Sequence, residues 1–393
     1  MNDEHYDVLI IGGGIHGVGV AQAAAAAGYR VLLLEQGELA GGTSSRSSKL
    51  IHGGLRYLEH GDFALVRECL RERALLLKNA PGLVRLRRFF IPVYGESSRS
   101  PWLIGAGLGL YSLLGGGGFR RLPRIQWAGL DGLQQAGLHT VFQYLDAQTD
   151  DAALTRAVMA SAQSLGAQLH TQARFLTARR SDERWRIDYR QGEQQRQCAA
   201  TVLVNAAGPW VNTVLRDIES RVAPLPVDLV QGAHLVLDGR LEKGIYYLES
   251  PRDRRPVFAM PWHDRGKDAI LLGTTETRFS GDPASVQPLT QEQDYLLDTY
   301  RYYFAATPRV CTAFAGLRVL PREGMGNGAY GARARETVLQ VDDPHAPRLL
   351  NIYGGKLTAY RATADKVLKR LRPSLPARRP VADTRRLRLS PEN

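Results

Sequence analysis

Gly12, Gly14 and Gly17 stand at the spacing G-x-G-x-x-G, and a carboxylate, Glu35, closes the next apolar run. That set can bind a pyrophosphate and a ribose. Gly12 permits a tight turn, Gly14 lets backbone approach phosphate where any Cβ would collide, and Gly17 lets a helix pack on a strand. A helix N-terminus adds unpaired N–H groups and partial positive charge. Glu35 can accept both ribose hydroxyls and would repel a 2′-phosphate. Glycine clusters alone often mark mere turns, so the flanking elements decide the reading.

Those elements are the right ones. Asp7 and the β-branched, apolar Val8–Ile11 read as a short buried strand. Val18–Gly28 is so rich in alanine that helix follows. Arg30–Glu35 is a second strand ending in the acid. Strand, glycines, helix, strand and acid in this order form a complete dinucleotide fingerprint.

Two further stretches invite a ligand. Ala40–Glu59 alternates hydroxyls, glycines and cations, and it runs straight into Leu50-Ile51 and the pair Gly53-Gly54. A polar surface loop would not do that. A buried loop crossing a cofactor would: Thr43, Ser44 and Ser45 would hydrogen-bond phosphate, and Gly53 and Gly54 would let backbone pass a flat ring. Gly354-Gly-Lys-Leu-Thr358 opens a last helix, Ala359–Leu371, so a second helix dipole faces a ligand. Val202–Asn205 is a buried strand running into the small-residue turn Ala206-Ala-Gly-Pro-Trp210, with Pro209 suited to a first helical turn.

The rest of the chain supplies scaffolding. Asp62–Lys78 is amphipathic helix, and Thr149–Leu165 is another, capped by Thr149-Asp150-Asp151. Ala167–Ala199 reads as short strands. Val227–Phe279 carries strong strand signals, which predicts the antiparallel sheet of a second domain. Thr290–Ala305 is helical. Ala315–Pro321 is a strand, and Val338–Val341 pairs with Leu349–Tyr353. Past Pro373 the arginine-rich, proline-containing tail reads as loose.

At 393 residues the chain has room for two interleaved domains. The net charge of +12 suits an anionic ligand or acidic lipid. Scattered basic residues and no recognition motif argue against nucleic acid. Cys69, Cys198 and Cys311 have neither metal nor disulfide spacing, and the acidic N-terminus leaves no room for a signal peptide, so a reducing, cytoplasmic compartment is expected. No charge falls between Arg99 and Arg120. Glycines break that stretch too often for a span. A buried helix, Trp102–Leu114, is the plain reading; a peripheral contact with anionic membrane through Trp102, Leu103, Tyr111 and Phe119 is the sharper one.

Several phrases together resemble the FAD-dependent glycerol-3-phosphate dehydrogenases: Asp7–Gly17, Gly42–Ser45, Lys49–His60, Val204–Trp210, Gly273–Thr275, Gly316–Arg318 and Gly354–Arg361. They occur in the family's order over nearly the whole chain, and the Lys49–His60 phrase is highly specific. The resemblance implies an α/β flavoprotein with the D-amino-acid-oxidase-like fold, in which a Rossmann-like FAD-binding domain interleaves with an antiparallel-sheet substrate domain. Residues 1–78, 146–215 and 312–372 would form the first, 79–145 and 216–311 the second, with 373–393 a basic tail. It implies oxidation of sn-glycerol 3-phosphate to dihydroxyacetone phosphate by hydride transfer to flavin N5. Electrons would pass to a quinone, or to oxygen as in oxidase relatives, at the inner face of the membrane. The family commonly continues into a helical C-terminal domain of around a hundred residues, which lies outside the matched phrases.

Residue by residue, the resemblance places Arg56 and Arg318 on the substrate phosphate, with Arg335 a third. A guanidinium fork fixes position as well as charge. His234 would accept the hydroxyl proton, and Lys356 would sit against the flavin. Tyr57 and Thr275 would add hydrogen bonds to substrate. The flavin's neighbours would be Gly12, Gly14, Ile15, Gly17, Glu35, Gln36, Thr43, Ser44, Ser45, Lys49, Leu50, His52, Gly53 and Gly54. Ala207, Gly208, Trp210, Gly355, Leu357 and Thr358 complete that set. The alternatives are an FAD enzyme for a hydroxy acid or amino acid, and a flavin-binding subunit without turnover.

Overall fold

The computed structural model describes residues 4–181, 183–306, 308–322 and 337–391. Two sheets organise them. In the first, the strands Leu349–Tyr353, Gln194–Asn205, His5–Ile11, Val31–Leu34 and Gln168–His170 lie side by side and parallel, with Val338–Val341 added antiparallel at one edge. Alternation along the central strand separates two cores. Val8 and Ile10 face one side, Leu9 and Ile11 the other.

On the first side lie α1 (Ile15–Ala26), whose alanines permit close approach, and two later helices described below. The other side is covered by the antiparallel strands Ala173–Ser181 and Arg184–Gln191, through Phe175, Trp185 and Ile187. The helix α2 (Phe63–Asn79) packs against the inner surface of the second sheet through Val66 and Leu70.

The second sheet runs Thr277–Phe279, Val227–Asp238, Lys267–Gly273, Pro256–Asp264, Ile245–Glu249, Val84–Tyr94, Leu138–Thr149 and Leu50–Ile51. All its neighbours are antiparallel except Ile245–Glu249 beside Val84–Tyr94. Val310–Pro321 pairs with Val227–Asp238 along its length, so this sheet takes in a strand that the sequence reading assigned to the first unit. Leu50–Ile51 ties the 40–59 loop to Ala147 and Gln148 of the same sheet.

The uncharged stretch forms α3 (Pro101–Tyr111), begun by Pro101 and by the Ser100 hydroxyl accepting from Leu103 N, and ended by a wide turn at Ser112–Gly116. Helical backbone runs on in that turn to Leu114, the expected end, and breaks at Gly115, which takes φ +107°. Trp102 is 90 % exposed and Leu113 86 %, but Tyr111 is only 1 % exposed, so Tyr111 points inward and not toward any lipid. Next come α4 (Asp151–Ser164), capped by Asp150 accepting from Ala153 N rather than by Thr149, and the short α5 (Val211–Arg216). Then follow α6 (Thr290–Tyr303) and α7 (Tyr360–Leu371). Helices α4 and α7 flank α1 on the first sheet.

The tail is not loose. Val381 N and Ala382 N donate to Ala26 O at the end of α1, Leu389 N donates to Asn79 O, and Leu389 is buried in the first core. Arg378 reaches the buried Asp7 at 3.1 Å. Composition alone missed this because one apolar residue and a few backbone bonds, not a periodic pattern, hold the segment.

Candidate functional site

At the first glycine turn the geometry is tight. Gly12 has φ +108°, and a Cβ there would lie 2.6 Å from Ala206 O; one on Gly17 would lie 1.9 Å from Gly12 O. The strand end Ala206–Gly208 is thus pressed against this turn. Gly14 opens α1 without any side-chain cap, so the helix N-terminus points its amides outward. Ser44 Oγ accepts from Ile15 N at 2.9 Å, placing a hydroxyl on that terminus. Glu35 accepts from Gly13 N at 2.6 Å and Gly37 N at 2.8 Å, one bond per oxygen. The acid is therefore fixed by backbone, and each oxygen keeps a lone pair for a ribose hydroxyl. Gln36 is exposed beside it, and Trp210 lies 3.5 Å from where a Cβ of Gly42 would be.

Several residues expected at the cofactor are already engaged within the protein. The Thr43 hydroxyl donates to Leu317 O at 2.7 Å, and Ser45 to Gly42 O at 3.2 Å, so neither proton is offered to a phosphate. Lys49 is buried with its ammonium on Asp151, which also accepts from Ser47 N and Oγ. That charge is neutralised where it stands, because a buried ammonium needs a counter-ion. Leu50 lies buried in its strand.

Beyond Leu50 the loop turns inward. His52 N donates to Thr358 Oγ1 at 3.2 Å, joining the loop to the second glycine turn. Gly53 N donates to the Tyr111 hydroxyl at 2.8 Å. A Cβ on Gly53 would meet Leu70 at 2.5 Å and that hydroxyl at 2.6 Å, so protein side chains already require glycine there. Gly54 has φ +78° against the Tyr57 ring. Lys356 Nζ sits 3.8 Å from the centre of that ring, a cation–π contact. Gly355 packs on His16 of the first turn: a Cβ would fall 2.0 Å from its Nε2. Leu357 and Thr358 form a short turn before α7. The two glycine turns and the 52–57 segment thus converge. Three buried polar atoms on these segments, His16 Nδ1, Arg56 Nε and Lys356 Nζ, have no hydrogen-bond partner in the protein. Burial without partners is costly, so these atoms mark where a polar ligand belongs.

On the second sheet, His234 is buried beside Ser48 Oγ (3.1 Å) and stacks on Phe314 at 5.0 Å. Burial first, then Lys49 and Arg318, push its pKa down to about 3. The expectation of an imidazole titrating near neutrality is not met, because two cations face a desolvated ring. Arg318 Nη1 donates to Glu276 Oε1, and Nη2 to Thr275 O at 3.1 Å. Thr275 does not offer its proton to a substrate. It donates to Glu292 Oε1 at 2.7 Å and accepts from Ala233 N at 2.8 Å, deep between strands. Its part is to hold the carbonyl that faces Arg318. Arg335 lies outside the described residues.

Sequence reasoning missed Glu276, Glu292, Ser48, Asp151 and Tyr111. Glu276 had a signal, an acid directly after Gly273-Thr-Thr275. The others are joined by long-range contacts that no local spacing reveals.

A parallel-stranded dinucleotide-binding sheet joined to an antiparallel one, with two glycine turns aimed at one place, defines a dinucleotide-dependent oxidoreductase fold. The family model described as FAD dependent oxidoreductase matches residues 7–361, and the chain belongs to that family. It is 40% identical over 377 residues to a glycerol-3-phosphate dehydrogenase of Pseudomonas aeruginosa, covering 94% of this chain and 72% of that protein. It is 37% identical to a D-erythritol 1-phosphate dehydrogenase of Brucella abortus, covering 95% of this chain and 75% of that one. The crystal structure of the glycerol-3-phosphate dehydrogenase from Bacillus halodurans complexed with FAD superposes with a TM-score of 0.75 at 27% identity, over 99% of this chain and 68% of that one. The residues present fit FAD: a helix N-terminus opened by the glycine Gly14 for the pyrophosphate, Glu35 for the ribose, and the buried atoms without hydrogen bonds where the turns converge.

Proposed function

We propose that the protein oxidises the secondary hydroxyl of sn-glycerol 3-phosphate to the ketone of dihydroxyacetone phosphate and passes the electrons to a membrane quinone. FAD, when bound, supplies the two-electron acceptor. The observation that carries the reading is two buried cationic nitrogens, Arg56 Nε and Lys356 Nζ, the second over the Tyr57 ring, that no protein hydrogen bond satisfies. They occur in a chain whose relatives are named for polyol phosphates.

Arg56 and Arg318 are assigned to the phosphate, Arg335 to its support, and Lys356 to the flavin side of the substrate oxygen. His234 is neutral without substrate and a weak base. A phosphate dianion beside Arg318 would offset the cations that depress it, raising its proton affinity as the alcohol arrives. Fixed placement of the alcohol supplies the rest.

The acceptor side is assigned to the exposed face of α3 and its neighbour. Trp102, Leu103, Leu113 and Ile125 are 90, 59, 86 and 89 % exposed. Arg120, Arg121 and Arg124, which follow α3 in the chain and flank Ile125, are exposed as well. An apolar patch rimmed by cations suits an anionic lipid surface. No described helix is long and apolar enough to cross a membrane; the contact proposed is peripheral, at the cytoplasmic face. Co-sedimentation with anionic vesicles, lost in W102D/L113D, tests this.

The test of the reaction is the anaerobic visible spectrum before and after substrate. Bleaching by sn-glycerol 3-phosphate supports the proposal. Bleaching only by D-erythritol 1-phosphate would move the assignment to a longer polyol phosphate. No bleaching by either would sink it.

A further inference from the structure

A buried polar chain runs from the end of α3 to the backbone that carries Arg56 and Tyr57. Tyr111, the last residue of α3, accepts from Gly53 N at 2.8 Å and donates to Asp146 Oδ2 at 2.7 Å. Asp146 Oδ1 accepts from Arg73 Nη1 at 2.7 Å and from Ala147 N at 3.2 Å. Arg73 Nη2 in turn donates to Gly115 O and Gly116 O, at 3.2 and 3.1 Å, and Nη1 to Leu145 O at 3.2 Å. Tyr111, Asp146 and Arg73 are 1, 2 and 5 % exposed. Helix α2, helix α3, the turn after it and the strand Leu138–Thr149 are thereby pinned to one amide of the Gly53–Tyr57 turn.

The shape of the site needs this chain. Gly54 has a left-handed φ and Gly53 no side chain, and the turn's own bond, Tyr57 N to Gly54 O at 2.9 Å, leaves Gly53 N unheld. Leu50–Ile51 is a two-residue strand upstream, and downstream Leu55–His60 is a single irregular helical stretch. Tyr111 is the group that satisfies Gly53 N. Its ring is held edge-on against Tyr144 at 6.1 Å and interplanar 90°. The hydroxyl also cannot rotate its proton away without leaving Asp146 Oδ2 without its donor.

We infer that Tyr111, held by Asp146 and Arg73, is a positioning residue that sets the Gly53–Tyr57 turn, and through it Arg56 and Tyr57, against flavin and substrate. It touches neither. The inference rests on the reading of that turn as facing flavin and carrying a phosphate-binding arginine.

The experiment compares holoenzyme of parent, Y111F and R73K. Tyr111→Phe keeps the ring and removes the acceptor of Gly53 N. Loss of a buried hydrogen bond predicts KM for sn-glycerol 3-phosphate raised about tenfold, with a shift of the visible flavin bands and of the reduction potential titrated with dithionite. R73K retains the charge but loses the fork on Gly115 and Gly116, and should move the same readouts less. Changes in Y111F and R56K should be non-additive when combined. If Y111F does not fold, R73K alone carries the test. Lowered melting temperature with unchanged KM, bands and potential in the variants that fold would show a merely structural role and overturn the inference. Potential and bands need no substrate, so a parent enzyme inert to glycerol 3-phosphate would sink the proposed reaction while leaving this inference to be read from them.

Discussion

Arg318 Nη1 donates to Glu276 Oε1 across 2.7 Å, and Glu276 is nearly buried while Arg318 is about a quarter exposed. The carboxylate also lies 3.7 Å from Arg255 Nη1. A guanidinium is a planar fork, so two partners fix its plane. Arg318 is thus aimed before any substrate arrives, which lowers the ordering cost of binding.

Removing that fork has a defined outcome. R318A should lower kcat/KM for glycerol 3-phosphate by about 10²–10³-fold, the equivalent of losing a charge-assisted pair worth about 3–4 kcal/mol, while FAD stays bound. E276Q keeps the shape and loses the charge. It should raise KM more than it lowers kcat. Steady-state kinetics with flavin occupancy measured by absorbance checks both, and parent-like kinetics in R318A would remove Arg318 from the site.

Lys356 is held differently from Arg318, over a ring and not against a carboxylate. Its ammonium lies over the Tyr57 ring at 3.8 Å and has no hydrogen-bond partner. A cation held beside the flavin favours its electron-rich state. K356M should lower the reduction potential by about 30 mV or more, the two-electron equivalent of about 1.4 kcal/mol, and slow flavin reduction. Potentiometric titration decides it, and an unchanged potential would place the ammonium elsewhere.

A half-buried histidine, His16, and a buried one, His234, give the fold an acid limit. Burial lowers the pKa of His16 to about 4, and burial with Lys49 and Arg318 lowers His234 to about 3. Unfolded imidazoles titrate near 6.5. Below pH about 6.5 the unfolded chain takes up protons that the folded chain refuses. Stability from these groups is therefore full above that pH and falls as pH drops, by about 1.4 kcal/mol per unit for each histidine. Urea unfolding at pH 7, 6 and 5 should show the decline, and H16Q should make it shallower. An equal slope in H16Q would mean that His16 does not resist protonation.

The first fifty residues were legible because their signals are local. A strand, three glycines and an alanine helix specify one another within a few turns of chain, and Gly12 and Gly17 sit where the spacing put them. The 40–59 loop was legible in kind but not in detail. Hydroxyls and a lysine in a buried loop look like phosphate ligands. Yet Lys49 meets Asp151, Thr43 meets Leu317 and Thr275 meets Glu292, across 102, 274 and 17 residues. A single sequence does not disclose such partners. Burial gives these residues partners within the protein, and it also moves His234 away from neutrality.

The tail was the plainest miss, and it can be tested directly. Residues past Pro373 are rich in arginine and proline, which argues for disorder. Instead the segment crosses the end of α1, where Val381 N and Ala382 N meet Ala26 O at 2.8 and 3.1 Å. It then runs along α2, where Asn79 Nδ2 donates to Arg385 O at 2.9 Å, and it ends by burying Leu389 at 5 % exposure. Arg378 meets Asp7, whose own carboxylate accepts from Arg30 N between the first two strands. The segment therefore closes the rim of the cofactor sheet, remote from His234 and Arg318. L389A should lower stability by about 2–4 kcal/mol, the cost of a buried leucine cavity. Turnover per bound flavin should not change. Thermal unfolding followed by circular dichroism reads the first quantity and kinetics the second. Removing residues 375–393 should cost more than L389A, since the Ala26 and Asn79 contacts go with it. A truncated chain that melts where the parent does would show that the strap contributes nothing to the fold.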